Sequence, residues 1–267
     1  RQHNLPTIRF EESFRVHRDH ADFLREAIYQ HDGIRYHSNQ TPPFRALHGA
    51  DELVRAILAP EHPLIVVVHD ERASQKVNPF EQAIIKRVVQ QLWLGNGLTL
   101  DPRREIGVVV PHRAQRAGLQ SSVEQLVQRD PVTQLVRLSA VDTVERFQGD
   151  ERDIIIVSAT ESDPEYLQQT TSFLLDPRRL TVAISRARQK MILLAARTVF
   201  TMPIMDDETF MDAQIWRRLL RETCTVLLWE GEIDGTRTQV WGNPPAVGVV
   251  STEVGAGSTV GYVPSAE

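Results

Sequence analysis

Leu180-Thr-Val-Ala-Ile-Ser-Arg-Ala-Arg188 is followed almost at once by the apolar run Met191-Ile-Leu-Leu194. Two arginines thus stand two residues apart at the end of a short apolar segment, just before a strand-like run. Arginine carries a permanent charge on a rigid fork of donors. Such a pair beside a buried strand indicates a site for a phosphate or a carboxylate. This stretch alone leaves open the alternative that both arginines only cap the end of a helix.

Apolar, largely β-branched runs and amphipathic segments alternate on either side of this stretch. The predicted strands are 63–68, 106–110, 135–138, 153–157 and 190–195. The predicted helices are 20–30, 51–58, 78–93, 115–128 and 207–222. Strands that are apolar on both faces and alternate with helices predict an α/β fold with a parallel sheet flanked by helices on both faces.

The composition changes after residue 222. Two β-prone runs, Val226-Leu-Leu-Trp229 and Thr238-Gln-Val-Trp241, precede a tail dominated by Gly, Pro, Ser and Val. We therefore predict a main domain over residues 1–222. Residues 223–267 are predicted to form a C-terminal extension that is irregular, β-rich or partly disordered.

Composition limits the class of protein. The 267 residues are 41% apolar and 24% charged, with a net charge of -5, as in a soluble globular protein without a bulk basic field. The single cysteine, Cys224, excludes an internal disulfide and fits a reducing compartment, the cytoplasm or, in a eukaryote, the nucleus. We find no apolar run of the roughly 18 residues that a membrane span needs. Because the chain does not begin with Met, we expect it to be part of a longer protein.

Arginines flank several of the predicted strands, where a surface loop needs none. Pro111-His-Arg-Ala-Gln115 follows one strand, Val141 to Glu151 follows another, and Ser185-Arg-Ala-Arg188 precedes the last. Ligands of parallel sheets commonly bind beyond the carboxyl ends of strands, so residues at strand ends are the candidates. Asp70-Glu71 also follows a strand, but without a phosphate-binding loop before it we interpret it as a strand-end turn.

Five segments carry a family resemblance. The segment from Thr143-Val-Glu-Arg-Phe-Gln-Gly-Asp-Glu151 to Ser158 resembles motif V of superfamily 1 helicases, in the branch of the nonsense-mediated-decay helicase. Leu180 to Arg188 is similar to motif VI. Three further segments resemble other elements of that branch in the same order: Ser13-Phe-Arg-Val-His-Arg18, Asn78-Pro-Phe-Glu81 and Ile106 to Gln115. The resemblance implies the second of two RecA-like motor domains, with ATP in the cleft between them.

The resemblance implies roles at the nucleotide. Arg186 would be the arginine finger on the γ-phosphate, Arg15 a second γ-phosphate contact, and Gln148 the link between nucleotide state and domain closure. A solvated arginine, a core phenylalanine and a tight turn at the glycine remain the structural alternatives. The residues implied to face the adenine and ribose are Phe14, Gly149 and Glu151.

The resemblance also implies contacts with single-stranded nucleic acid. Thr143 and the loop residues Pro111, His112 and Arg113 would touch phosphates. His112 would stack on a base, although an isolated histidine is more often an ordinary surface residue with satisfied hydrogen bonds. DNA is favoured over RNA as the partner, although phosphate contacts do not distinguish them. Arg188 is most simply a structural partner for a carboxylate. No membrane partner is implied.

The sequence departs from the family pattern in one large respect. It contains no Gly-x-x-x-x-Gly-Lys-Ser/Thr, so ATP and Mg²⁺ are expected to be held mainly by a first motor domain, and this chain alone is expected to be inactive. Smaller departures are Ser13, Phe14, Arg18 and Thr181. Two alternatives stay open: a non-catalytic RecA-like module that binds nucleic acid or protein, and a translocase that moves without unwinding.

Overall fold

The computed structural model describes residues 12–13, 15–45, 49–97, 100–127, 139–147 and 151–245. Three expected site residues, Phe14, Gln148 and Gly149, lie outside these ranges. So do the predicted strand 135–138 and residues 246–267 of the predicted extension.

A mostly parallel sheet forms the centre of the molecule. The short strands β1 (Glu12–Ser13) and β2 (His37–Ser38) pair separately as a two-stranded parallel sheet. The parallel strands of the main sheet are β3 (Leu64–His69), β4 (Ile106–Val110), β5 (Val141–Thr143), β6 (Arg152–Ser158) and β7 (Ala187–Ala196), in the spatial order β5-β4-β6-β7-β3. The predicted RecA-like α/β fold is confirmed.

A hairpin extends this sheet on one side. Strands β8 (Val226–Ile233) and β9 (Thr236–Gly242) are joined by Asp234-Gly235, both with positive φ (49° and 75°), as a two-residue hairpin turn requires. β9 pairs antiparallel with β3, which gives the full order β5-β4-β6-β7-β3-β9-β8. The β-prone runs after residue 222 are therefore strands, and they belong to the same sheet as β3.

Helices cover both faces of the sheet. The helices are α1 (Arg18–Ala27), α2 (Glu52–Ile57), α3 (Pro79–Gly95), α4 (Arg113–Glu124), α5 (Pro164–Leu174), α6 (Pro177–Arg186), α7 (Arg197–Thr201) and α8 (Asp207–Arg218), the last continued by a π-helical turn over Leu219–Thr223. α2, α3 and α4 pack on one face, and α1 and α5 to α8 pack on the other. No helix among the described ranges is long and apolar enough to cross a bilayer.

Strand β3 shows why the sheet is buried on both sides. Its alternate residues point to opposite faces. Leu64, Val66 and Val68 enter the core beneath α1 and α6, whereas Ile65 and Val67 enter the core beneath α2 and α3. Three helices, α5, α6 and α7, were not predicted from the sequence, and the apolar segment before Arg186 is the final part of α6.

Candidate functional site

The expected site residues that the structure describes lie at two opposite edges of the sheet, one at the amino ends and the other at the carboxyl ends of its parallel strands. In the register of β6 and β7, Arg152 is paired with Ala187, and each is the first residue of its strand. Glu151 and Arg186 immediately precede this pair. They therefore lie side by side at the amino ends of the two strands, rather than beyond the carboxyl ends.

Arg15 joins the same edge. Its Nε lies 3.2 Å from Oε1 of Glu151, in an ion pair whose side chains are 68% and 25% exposed. More than 130 residues separate the two in sequence, so the contact depends on the fold. The two side chains and the end of α6 thus bring positive charge and one carboxylate to a single place on the surface.

Arg186 and Arg188 have different surroundings. Arg186 is half-buried at the end of α6, and its Nε is buried without a hydrogen-bond partner among the described residues. Arg188 donates from Nη2 to Oδ1 of Asp153 at 2.8 Å, which confirms its predicted role as the partner of a carboxylate. Burial raises the pKa of Asp153, and the guanidinium opposes that shift. The Nε of Arg188 is likewise buried without a partner among the described residues, so the two arginines differ in the carboxylate that Arg188 binds.

A buried histidine holds this edge together. The ring of His20, in α1, is fully buried with Nδ1 3.0 Å from the carbonyl of Ala187 and Nε2 3.2 Å from that of Pro63. Burial lowers its pKa to about 4, so the ring is neutral and donates to only one of the two carbonyls. Because Ala187 follows Arg186 and α1 follows Arg15, the ring links the segments that carry both arginines.

The residues expected to contact nucleic acid meet at the other edge. Val110 and Thr143 are paired in register and are the last residues of β4 and β5. Pro111, His112 and Arg113 continue from β4 into the start of α4, with Arg113 exposed and Pro111 half-buried. The structure therefore brings these four predicted residues together at the carboxyl ends of two adjacent strands.

His112 is fixed in place by its neighbours. Its Nε2 lies 2.6 Å from Oε1 of Glu161, a fully buried carboxylate whose other oxygen accepts the hydroxyl of Thr170. Its ring stacks on Phe173, with centroids 5.7 Å apart and an interplanar angle of 23°. In the sequence His112 is an isolated histidine, and nothing there indicates that Glu161 and Phe173 are its neighbours.

Most of the chain matches one known protein family. Residues 1–198 match the family model AAA_12, described as an AAA domain. The chain belongs to this family. It is a superfamily 1 helicase domain of the nonsense-mediated-decay branch, as the motif resemblance implied.

Several curated helicases are similar to this helicase domain. Regulator of nonsense transcripts 1 of Dictyostelium discoideum is 33% identical over 125 residues, which cover 47% of this chain and 9% of that protein. DNA polymerase alpha-associated DNA helicase A of Saccharomyces cerevisiae is 30% identical over 121 residues, 45% of this chain and 16% of that protein. DNA replication ATP-dependent helicase/nuclease JHS1 of Arabidopsis thaliana is 29% identical over 129 residues, 48% of this chain and 9% of that protein. The match thus spans a small part of each relative.

A buried polar network underlies the carboxyl edge of the helicase domain. Glu81 is fully buried, with Oε1 3.1 Å from Nε2 of His69. Its Oε2 accepts the backbone amide of Thr160 at 3.0 Å and the hydroxyl of Ser158. This carboxylate fixes the loop that follows β6, and that loop carries Glu161. The Asn-x-x-Glu pattern marked Glu81 in the sequence, but nothing there indicated its partners.

Asp70 and Glu71 lie in an irregular loop after β3 rather than in the predicted turn. Asp70 pairs with Nε of Arg197 at 2.7 Å. Glu71 accepts the amide of Ala73 at 2.7 Å and the side-chain amide of Asn78 at 3.1 Å. In the part of the helicase domain that the structure describes, no group of three or more His, Cys, Asp or Glu side chains is placed to hold a metal ion.

Proposed function

We propose that this chain is the second motor domain of an ATP-dependent helicase or translocase. It supplies an arginine finger and part of the surface for a single strand. The observation that carries the proposal is the convergence of Arg15, Glu151 and Arg186 at the amino ends of β6 and β7. A module that only binds nucleic acid or protein has no need for two arginines and a carboxylate at a second, separate edge.

The nucleotide edge has groups that suit a nucleoside triphosphate. Arg186 offers a fixed positive charge and an orphaned, buried Nε–H, which matches an anionic oxygen. Arg15 adds a second guanidinium, and Glu151 can accept hydrogen bonds from ribose hydroxyls. ATP supplies the phosphoanhydride bond, and negative charge spreads over the γ-phosphoryl oxygens as that bond breaks. Arg186 then stabilises that charge from a backbone position set by the end of α6 and by the contact of His20 with the carbonyl of the adjacent Ala187.

Three further residues complete the proposed nucleotide site by family resemblance. Phe14 would stack on the adenine, Gly149 would let the backbone approach the nucleotide, and Gln148 would relay nucleotide state to domain closure. All three lie outside the described residues.

The opposite edge is proposed to hold single-stranded nucleic acid. Arg113 is exposed beside Pro111, His112 and Thr143, and phosphate contacts from such a loop position a strand without reading its sequence. Names of similar helicases refer both to DNA and to nonsense transcripts. We propose single-stranded DNA as the first candidate ligand and RNA as the second. Phosphate contacts alone distinguish neither the sugar nor the base.

Hydrolysis requires a second domain under this proposal. A phosphate-binding loop and the carboxylate that holds Mg²⁺ would come from a first motor domain, because this sequence has no Gly-x-x-x-x-Gly-Lys-Ser/Thr. The match covers between 9% and 16% of the relatives described above, which leaves ample chain for such a domain in those proteins.

Substitution of Arg186 tests the proposal. In a polypeptide that joins this domain to one with a phosphate-binding loop, Arg186→Ala is expected to lower ATP turnover at least 1,000-fold, as removal of an arginine finger does. Binding of a fluorescent ATP analogue should change by less than about threefold. Arg178→Ala is the matched control, since Arg178 lies on the same helix with its side chain 87% exposed and bound to Asp176. Turnover within a few-fold of the unaltered protein would refute the assignment of Arg186.

A further inference from the structure

Asn243 immediately follows β9, beyond the residues that match the family model. It is 4% exposed, and its side-chain amide is engaged at both ends. Oδ1 accepts the backbone amide of Leu64 at 2.9 Å, and Nδ2 donates to Oδ2 of Asp19 at 2.8 Å. A backbone N–H needs an acceptor and a carboxylate needs a donor, so one amide side chain satisfies both partners.

The backbone of Asn243 is held in the same place. Its N–H donates to the carbonyl of Leu64 at 3.1 Å, and its carbonyl lies 2.6 Å from Nδ1 of His62. The preceding Gly242 leaves room for that imidazole, because a Cβ there would lie 2.8 Å from Cγ of His62. The residue is therefore fixed to the segment that leads into β3, and its side chain extends from there to Asp19.

Asp19 lies in the first turn of α1, four residues after Arg15. Between them, Val16 is 2% exposed, and its carbonyl accepts the hydroxyl of Ser38 at 2.7 Å. The hydrogen bond to the Asp19 carboxylate provides a second fixed point. The backbone that carries Arg15 is thus held at two places within four residues.

We propose that Asn243 is a positioning residue for Arg15. It holds the start of α1 so that the Arg15 guanidinium meets the γ-phosphate at the amino ends of β6 and β7. This inference rests on the proposed function of that edge and adds a residue from outside the family match. Because the Arg15 side chain is 68% exposed, its placement depends on the backbone that carries it. A displacement of about 1 Å in such a group can cost about 100-fold in rate.

The two hydrogen bonds of the amide have different consequences. The bond to Leu64 joins the end of β9 to β3, and the strand ladder already joins these two strands over five residue pairs. The bond to Asp19 spans 224 residues of sequence and connects the hairpin to a helix on one face of the sheet. That helix begins at the nucleotide edge, so the second bond is the one on which the proposal depends.

The test measures ATP hydrolysis by the two-domain polypeptide described above for Arg186. Asn243→Asp keeps an acceptor for Leu64 but sets two carboxylates against each other, so kcat is expected to fall about 10-fold. Asp19→Ala breaks the same link, leaves the bonds to β3 in place and should lower kcat by a similar factor. Exchanging the pair, with Asp19→Asn and Asn243→Asp together, again places a donor opposite an acceptor. It should return kcat to within about threefold of the unaltered protein.

Gln239→Glu is the matched control. Gln239 is 7% exposed and donates from Nε2 to Glu230 at 3.1 Å, so this substitution also sets two carboxylates against each other. It lies opposite Val68, near the carboxyl end of β3, and should change kcat by less than about twofold. Thermal unfolding identifies any variant that is unfolded at the assay temperature. If Asn243→Asp is unfolded there, Asp19→Ala decides the outcome.

Coupling to Arg15 distinguishes positioning from general support of the fold. If Asn243 acts through Arg15, Asn243→Asp should change kcat by less than about twofold once Arg15→Ala is present, whereas independent effects would multiply. Multiplied effects, or an unchanged kcat in Asn243→Asp while Arg15→Ala alone lowers it, would overturn the inference and leave the function of the edge intact. An unchanged kcat in Arg15→Ala would overturn both the inference and the proposed role of Arg15.

Discussion

Lys190 lies in β7 with its ammonium group inside the protein. Its Nζ donates to the carbonyls of Ala59 at 2.7 Å and His62 at 2.5 Å, and it lies 5.2 Å from the ring of Phe44. Burial lowers the pKa of Lys190 from 10.5 to about 7. The folded state therefore binds the ammonium proton of Lys190 less tightly than the unfolded chain does. The two carbonyls accept hydrogen bonds from the amine, but they do not replace the hydration that the charged form has in water.

This shift in pKa predicts a pH-dependent effect of Lys190→Met. Between pH 7 and 10.5 the unfolded chain holds more protons, so the contribution of Lys190 to stability increases with pH and is lost as pH falls toward 7. We expect the free energy of unfolding of the unaltered chain, relative to Lys190→Met, to rise by up to about 1.4 kcal/mol per pH unit in this range. Urea unfolding at pH 7, 8 and 9 measures it. The exposed Lys76→Met should show no such slope.

Individual contacts followed from the sequence only where a motif or a charge marked them. A carboxylate partner was expected for Arg188, and the structure supplies it as Asp153. Glu161 was not, because a glutamate after a strand carries no sign that it will be buried. Its partner His112 lies in the loop after β4, and its partner Thr170 lies in α5. Only the fold brings those two segments together.

At the scale of elements, the start of α3 is more than an ordinary helix cap. Oδ1 of Asn78 accepts the amide of Glu81 at 2.9 Å, as an N-cap does. Its Nδ2 donates to Glu71 at 3.1 Å and to the carbonyl of Thr160 at 3.0 Å. The one side chain therefore joins α3 to the loops that follow β3 and β6.

Asn78→Ala is expected to cost more than the loss of a cap alone. Loss of an N-cap costs about 1 kcal/mol, and each buried partner left unsatisfied adds about 1 kcal/mol or more, so we expect a total of about 2–4 kcal/mol. Chemical unfolding at pH 7 measures it. Asp206→Ala is the comparison, because Asp206 caps α8 through Thr209 at 2.7 Å on the exposed surface and should show a smaller loss. Equal losses in both variants would contradict the connecting role of Asn78.

Most of the strongly periodic elements could be predicted, and several others could not. The strands around β3, β4, β6 and β7 and the long helix α3 were located to within a few residues. Length alone does not explain why α5 and α6 were missed, since α1 and α2, of 10 and 6 residues, were predicted. The signal was nevertheless present, since α5 and α6 both begin at an Asp-Pro pair in which Asp caps and Pro occupies the first turn.

For the whole molecule, the main consequence of the fold is that its two edges are separated by the sheet. β7 runs 10 residues from the end of α6 to α7, which corresponds to about 33 Å of extended chain. Arg186 precedes it at one end, and Arg197, which binds Asp70, follows it at the other. In the proposed function, the nucleotide and the single-stranded nucleic acid would therefore contact the domain through different side chains.

This separation predicts independent effects on strand binding by the isolated chain. Arg113→Ala should weaken binding of a fluorescent single strand and reduce the slope of log affinity against log salt by about 0.7, the contribution of one phosphate contact. Arg186→Ala should leave affinity within about twofold, since it lies at the opposite edge. A salt titration by fluorescence anisotropy measures both. Equal weakening by the two substitutions would contradict the two-edge arrangement.

The order of strands was beyond sequence reasoning. Periodicity identified buried strands, and family resemblance gave the fold class, but neither places β3 between β7 and β9. Sheet order depends on contacts between residues far apart in the chain, such as Leu64 with Met191 and Val67 with Val240. The predicted boundary after residue 222 likewise followed composition, whereas the hairpin beyond it pairs with β3, the outermost parallel strand of the sheet.

That pairing matters for how the protein stays in solution. β3 is apolar along nearly its whole length, and β9 covers one of its two hydrogen-bonding edges over five residue pairs. A chain shortened at residue 222 would present that edge, flat and apolar, to other molecules. Open edges of this kind add strands from neighbouring chains and lead to aggregation. The hairpin therefore covers an edge that could otherwise pair with another chain. We expect a chain that ends at residue 222 to be insoluble even if every site residue is intact.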